Sequence, residues 1–278
     1  MSGLRTRAIS AVIFVALILG GLLGGPYSFM ALFSIVTALC LYEFYSMVLD
    51  RYQRRDRIRI GLGIAFGLAP HLIASAVLFG WLPNREEILF VSILAVFPLL
   101  FLMFIYELFA SSKYPFENVG MMVMGMVYIG APFAMLDYIA YQSGEFDWQL
   151  VLGILLLTWL SDTGAYLAGS TMGKTKLLPR ISPKKTWEGF GGGALLVLIS
   201  SWFLGEYLPV LRHRDWAAIA IIVIVFGSLG DLIESMLKRS IPVKDSGKLL
   251  PGHGGLLDRF DAFIFLLPFV SAYLIFVR

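Results

Sequence analysis

What most limits the fold of this chain is the length and recurrence of its apolar runs. A run of about 17–25 mostly apolar residues matches the thickness of a bilayer core. Nine such runs occur, at roughly 7–24, 28–49, 60–80, 88–109, 119–140, 150–170, 189–208, 216–237 and 262–277. In lipid every backbone polar group must be satisfied within the protein, which leaves helices or closed barrels. The period-two alternation of a membrane barrel is absent. The sequence therefore predicts an all-α fold: a single transmembrane domain over 1–278, a polytopic integral membrane bundle of about nine helices. Composition closes the other route. With 58% hydrophobic and 15% charged residues over 278 positions, a water-soluble domain could not cover its apolar surface. Arg5 and Arg7 precede the first run, as in a signal peptide, but no A-x-A-like cleavage site follows, so the run reads as a retained helix. The single cysteine, Cys40, excludes an intrachain disulfide.

Basic residues set the expected orientation. With the N-terminus inside, the inner segments carry eighteen lysines and arginines, from Arg5 through the Arg51–Arg59 cluster to Arg259. The outer segments carry four, Arg85, Arg212, Arg214 and Arg278. The positive-inside rule then predicts N-in and C-out. It also puts the two most polar loops, 171–188 and 238–261, on one cytoplasmic side.

Those loops and the acids beside them hold the candidate chemistry. Acids inside spans are costly and default to functional hypotheses. In the eighth run Asp231, Glu234, Ser235 and Lys238 fall at i, i+3, i+4 and i+7, one stripe of a helix. The plain alternative is a buried structural pair, Glu234 with Lys238. The ninth run opens with Leu257-Asp258-Arg259-Phe260-Asp261, placing Asp258 and Asp261 in a first turn, where the helix dipole favours carboxylates. Ordinary N-capping accounts for one of these acids. Together with Asp231 they offer three oxygen donors able to converge on one Mg²⁺ or a pair of cations. Pro251-Gly252-His253-Gly254-Gly255 is a glycine-rich turn whose N–H groups can face an anion, although such turns are common between helices and a lone His253 is a weak sign of a ligand or base. The 171–188 loop contributes Lys174, Lys176, Arg180, Lys184 and Lys185, a basic set that also suits anionic headgroups in general. Upstream, Asp162 lies late in an apolar run. Ser161, Ala165, Gly169 and Gly173 recur every four residues, a seam for close helix packing, and Gly189 with Gly191–Gly193 opens the next run in the same way. Glu43, Glu107 and Asp137 lie near span ends and are assigned no chemistry, and no Ser-His-Asp or Cys-His set is expected.

The segment Ser235-x-Leu237-Lys238-Arg239, Lys244-Asp245-x-Gly247, Leu250-Pro251-x-His253-Gly254-Gly255-Leu256-x-Asp258-Arg259-Phe260-Asp261 resembles the signature of phosphatidate cytidylyltransferases, also called CDP-diacylglycerol synthases. The runs at Asp162, at Ser182–Gly189 and at Gly230–Ser235 are similar to the same family. The likeness covers the C-terminal 120 residues or so. Residues 1–140 match only in hydrophobicity and size, and 150–278 would be the catalytic spans and loops. The resemblance implies a dimeric enzyme of the bacterial inner membrane. It would use Mg²⁺ to convert CTP and phosphatidate into CDP-diacylglycerol and pyrophosphate, with membrane lipid and no nucleic acid as partner. By the same resemblance the metal acids would be Asp231, Asp258 and Asp261, and the basic residue of the signature helix Lys238. Lys184, Lys185, Arg239, Lys244, Asp245, His253 and Asp162 are expected around the substrates. Direct attack by the lipid phosphate needs no protein nucleophile, only positioning and charge stabilisation. Two other readings stand beside it: a CTP-dependent lipid kinase, and a cation transporter lined by Asp162, Asp231 and Glu234. Against the transporter, the acids gather toward one face and the outer halves of the spans are apolar.

Overall fold

A computed structural model describes residues 2–49, 56–81, 88–241, 243, 245–247, 249 and 254–277. The described residues form nine helices: α1 (Ser2–Leu23), α2 (Pro26–Val48), α3 (Asp56–Leu78), α4 (Ile88–Ala110), α5 (Pro115–Ala140), α6 (Trp148–Met172), α7 (Trp187–Tyr207), α8 (His213–Ser240) and α9 (Leu257–Phe276). Helices α5 and α8 each pass through one π turn, Met126–Gly130 and Val223–Gly227. Seven of the nine are long and apolar enough to cross a membrane. The other two, α1 and α4, contain the shorter apolar stretches Ile9–Leu23 and Val96–Ala110. The protein is a polytopic helical membrane protein, as its apolar runs demand.

Local chemistry starts these helices where they start. Proline opens α2 and α5, where its missing N–H costs nothing. Asp147 caps α6 by accepting from the Gln149 N–H at 2.8 Å. Thr186 caps α7 by accepting from the Gly189 N–H at 3.1 Å.

The chain divides into two compact units. The first comprises residues 1–138 and 245–258. Its core centres on buried Tyr45, whose hydroxyl donates to the Met122 carbonyl at 2.8 Å. Several buried polar groups inside it are paired, which offsets the cost of burial. Arg59 of α3 bonds Glu107 of α4, which also accepts from Ser112 at 2.6 Å and Asn118 at 3.1 Å. His71 of α3 sits 2.7 Å from Asp137 of α5 and 3.1 Å from the Ser34 hydroxyl of α2. The acids Glu107 and Asp137, unassigned from sequence, thus tie helices together.

The second unit comprises 139–244 and 259–278. Its α6 and α7 meet along the small-residue seam. A Cβ on Gly164 would lie 2.9 Å from the Gly192 carbonyl, and one on Gly193 would lie 2.8 Å from the Ser161 carbonyl. Gly191 instead faces open space. Trp216 of α8 is fully buried and donates from Nε1 to the Leu208 carbonyl at 3.1 Å. In α9, Tyr273 donates to Asp215 at 2.9 Å.

One departure from the all-helical expectation lies in the 171–188 loop. It folds into an antiparallel hairpin of β1 (Lys176–Leu178) and β2 (Ser182–Thr186), with Lys176 opposite Thr186 and Leu178 opposite Ser182. The turn between them closes with the Ile181 N–H donating to the Leu178 carbonyl at 3.1 Å, and Pro179 occupies its second position, where the fixed proline φ fits.

Candidate active site

In the second unit the hairpin and helices α6, α7, α8 and α9 line a cavity of about 420 Å³. That is a volume typical of small-molecule sites. Its charged lining comes from Asp162 of α6, Lys184 and Lys185 of β2, and Asp231 of α8, with Ser161 of α6 among its hydroxyls. Each is placed by a backbone device described above. The α6–α7 glycine seam lets the β2 end of the hairpin sit directly over α6. The hairpin is anchored by Glu188, which accepts from the Thr175 N–H at 3.0 Å and the Lys174 N–H at 3.1 Å. The α8 wall is its π turn: Val223 and Gly227 both line the cavity, and π turns inside α-helices are frequent at functional sites.

The central pair is Lys185 Nζ with Asp231 Oδ2 at 2.6 Å, their side chains 26% and 34% exposed. Ser235, one turn on, donates to Asp231 at 3.3 Å. Asp162 lies within reach of the charges on Asp231, Lys185 and Arg259. Asp261, in the first turn of α9, lies within reach of those on Asp231, Glu234 and Asp162. Its Oδ1 accepts from the Ala262 N–H at 2.6 Å. Lys238 pairs with Glu234, which is fully buried. That is the helix-end pair the i,i+4 spacing allowed. Arg239 is exposed in the last turn of α8, outside the cavity lining.

Asp258 belongs to the first unit. Its carboxylate accepts from the Ser246 N–H at 3.1 Å and from the Gly255 N–H at 2.8 Å. Both donors lie in the loop ahead of α9, so the carboxylate ties that loop to the helix start. Asp245 is exposed. Lys244 and His253 lie outside the described residues.

The donor set suits a hard divalent cation. Asp231 and Asp261 are oxygen donors whose charges reach one another, with the Asp162 charge beside them, and such carboxylates could hold a cation. Among the described residues no three such groups form a ready-made cage. Mg²⁺ needs none, since it is commonly held by one or two carboxylates, waters and substrate phosphate oxygens.

Residues 5–277 match the profile of the Cytidylyltransferase family. The chain belongs to this family. Among its curated relatives, a phosphatidate cytidylyltransferase of Staphylococcus saprophyticus is 34% identical over 98% of this chain and 99% of its own length. Enzymes of the same name from Staphylococcus aureus and Staphylococcus epidermidis are 33% and 32% identical with the same coverage. The similarity of this cytidylyltransferase family member to its relatives thus extends through the N-terminal spans, where no motif was visible.

Two features escaped the sequence reading. Glu43 of α2, assigned no chemistry, is 2% exposed and accepts from the Ser246 hydroxyl at 3.0 Å and the Leu257 N–H at 2.8 Å. No local signal announces such a contact, because its partners are more than 200 positions away. The Ser34–His71–Asp137 line has the order of a hydrolase relay, contrary to the expectation of none. His71 and Asp137 are buried to 0% and 1% exposure between three helices, which makes the line a structural tie.

Proposed function

We propose that this protein transfers the cytidylyl group of CTP to phosphatidate, giving CDP-diacylglycerol and pyrophosphate for phospholipid synthesis. The observation that carries this reading is the Lys185–Asp231 pair in a cavity that also presents Lys184 and Asp162, in a chain that aligns nearly end to end with phosphatidate cytidylyltransferases. Bases for phosphates and acids for a cation line one cavity, as the joining of two polyanions requires.

In the reaction a phosphate oxygen of phosphatidate attacks the α-phosphorus of CTP. A new P–O bond forms, the bond to the bridging oxygen of the β-phosphate breaks, and pyrophosphate leaves with that electron pair. The attacking phosphate is already ionised at neutral pH, so no side chain has to take its proton. Lys184 and Lys185 offset the triphosphate charge, and the hairpin holds them at one edge of the cavity. Asp231 orients Lys185 through their ion pair. Asp162 keeps the lysine edge in register from the facing wall. Arg239, Lys244 and His253 serve the substrates' phosphates from the signature segment, Asp245 stands among them on the substrate side, and Lys238 holds buried Glu234 at the end of the signature helix. Asp231, Asp258 and Asp261 are the residues that would hold Mg²⁺, with room in their chemistry for a second cation. When bound, Mg²⁺ supplies charge stabilisation to the leaving pyrophosphate.

The basic-residue asymmetry supports N-in and C-out, with the polar loops facing the cytoplasm. The family resemblance implies an enzyme of the cell inner membrane that acts as a homodimer. The acyl chains stay in the bilayer while the headgroup meets the nucleotide. CTP labelled at the α or the γ phosphate tests the reaction. Incubated with phosphatidate and Mg²⁺, purified protein is expected to put α label into extractable lipid and release γ label as pyrophosphate. Lipid carrying γ label would mean a kinase, and no transfer by folded protein would return the transporter reading.

A further inference from the structure

One carboxylate from early in the sequence holds the signature segment at two points, Ser246 and Leu257. Glu43 stands late in α2, almost fully buried. It accepts from the hydroxyl of Ser246 and from the N–H of Leu257, the first residue of α9. The second bond is an N-cap supplied by another helix, and the dipole of α9 favours the negative charge there. Ser246 in turn gives its own N–H to Asp258. Glu43 therefore reaches Asp258 through a single intervening residue.

Three glycines make this arrangement possible. A Cβ on Gly247 or Gly255 would collide with the Glu43 carboxylate. Gly254 has φ +84, a conformation that costs other residues energy, and a Cβ there would come 2.7 Å from the Asp258 carboxylate. The spacing of glycines in the segment is thus the imprint of two acids, one at each side of the loop.

We infer that Glu43 is a positioning residue for cytidylyl transfer: it ties Ser246 and Leu257 to α2 and so fixes the orientation of Asp258. The inference rests on the proposed reaction, because Asp258 is the group it orients. It gives the N-terminal spans a task in the chemistry, although they contribute no residue to the cavity.

The test uses full-length protein and two variants, Glu43→Gln and the milder Ser246→Ala, which deletes one hydroxyl donor. Two quantities are read: hydrogen–deuterium exchange of ligand-free protein, and the Mg²⁺ concentration that half-saturates α-label transfer. Expected for Glu43→Gln is faster exchange in peptides spanning 245–258, with unchanged exchange in peptides from α6 to α8. Its half-saturating Mg²⁺ should rise about 10–100-fold, the usual cost of losing an outer support of a metal site. Ser246→Ala should move both quantities the same way by less. Wild-type values of both quantities in both variants would overturn the inference. So would exchange that quickens throughout Glu43→Gln while Ser246→Ala stays at wild-type values, because Glu43 would then support only the fold. If wild-type protein transfers no label, the proposed reaction fails instead, and the exchange data alone decide whether Glu43 holds the loop.

Discussion

At the scale of single residues, the two lysine–carboxylate pairs of α8 differ in burial and therefore in task. Asp231 and Lys185 are each about a third exposed or less within a cavity, so water and ligands reach them. Glu234 is inaccessible and the Lys238 side chain is 14% exposed. Removing one partner of a buried pair strands the other charge and costs about 3–5 kcal/mol, whereas an accessible pair is worth about 0–1 kcal/mol. Lys238→Met is therefore expected to lower the thermal midpoint in detergent strongly, and Lys185→Met hardly at all. Equal losses of midpoint would contradict this division. Activity should divide the other way for the cavity pair: Lys185→Met keeps its fold and loses transfer. Asp231→Asn and Lys185→Met should also be non-additive in transfer rate, since groups in direct contact couple by about 0.5–3 kcal/mol. A double-mutant cycle reads that coupling, and strict additivity would separate the two residues.

Among the elements, the α6–α7 contact decides whether the cavity keeps its shape. Gly193 lies against the backbone of Ser161, while Gly191, two residues away, meets nothing within 4 Å. Gly193→Leu has to push the helices apart and should lower both the thermal midpoint and the affinity for CTP. Gly191→Ala should be neutral or stabilising by about 0.5–1 kcal/mol, because alanine suits a helix interior better than glycine. Similar effects of the two substitutions would show that the seam is not the contact described. This seam was legible in the sequence, because small residues four apart have one physical use in a membrane helix. The hairpin was not: β1 and β2 are three and five residues long, too short for alternation to register, and their pairing depends on a turn and on Glu188. The i,i+4 tie between Glu234 and Lys238 was legible, since helix geometry alone brings them together. The Glu43 clamp was not, since it joins α2 to a loop beyond α8.

Over the whole molecule, lipid explains why so much of the fold could be read in advance. A bilayer permits few backbone arrangements, so hydropathy alone located nine runs that correspond one for one with α1 to α9. What hydropathy does not encode is which helices carry polar contacts on their hidden faces, and the ties of Arg59, His71 and Glu43 all fall in that category. Sidedness follows from charge and can be checked directly. Arg180→Cys lies in the hairpin turn and Arg212→Cys ahead of α8, while the native Cys40 is fully buried. A membrane-impermeant thiol reagent should label the first only in inverted vesicles and the second only in right-side-out vesicles. The reverse pattern would put the cavity on the face away from cytosolic CTP.

The most direct measurement compares the initial rate of α-label transfer from CTP to phosphatidate in wild-type protein, Asp231→Asn and Ser34→Ala. If the cavity of the second unit performs the reaction, Asp231→Asn loses about 10²-fold or more, as expected when charge stabilisation at the reacting phosphates is removed. Ser34→Ala, which touches only the buried tie of the first unit, then transfers label at close to the wild-type rate. Near-wild-type transfer by Asp231→Asn, or its abolition in folded Ser34→Ala, would contradict the assignment of the reaction to this cavity.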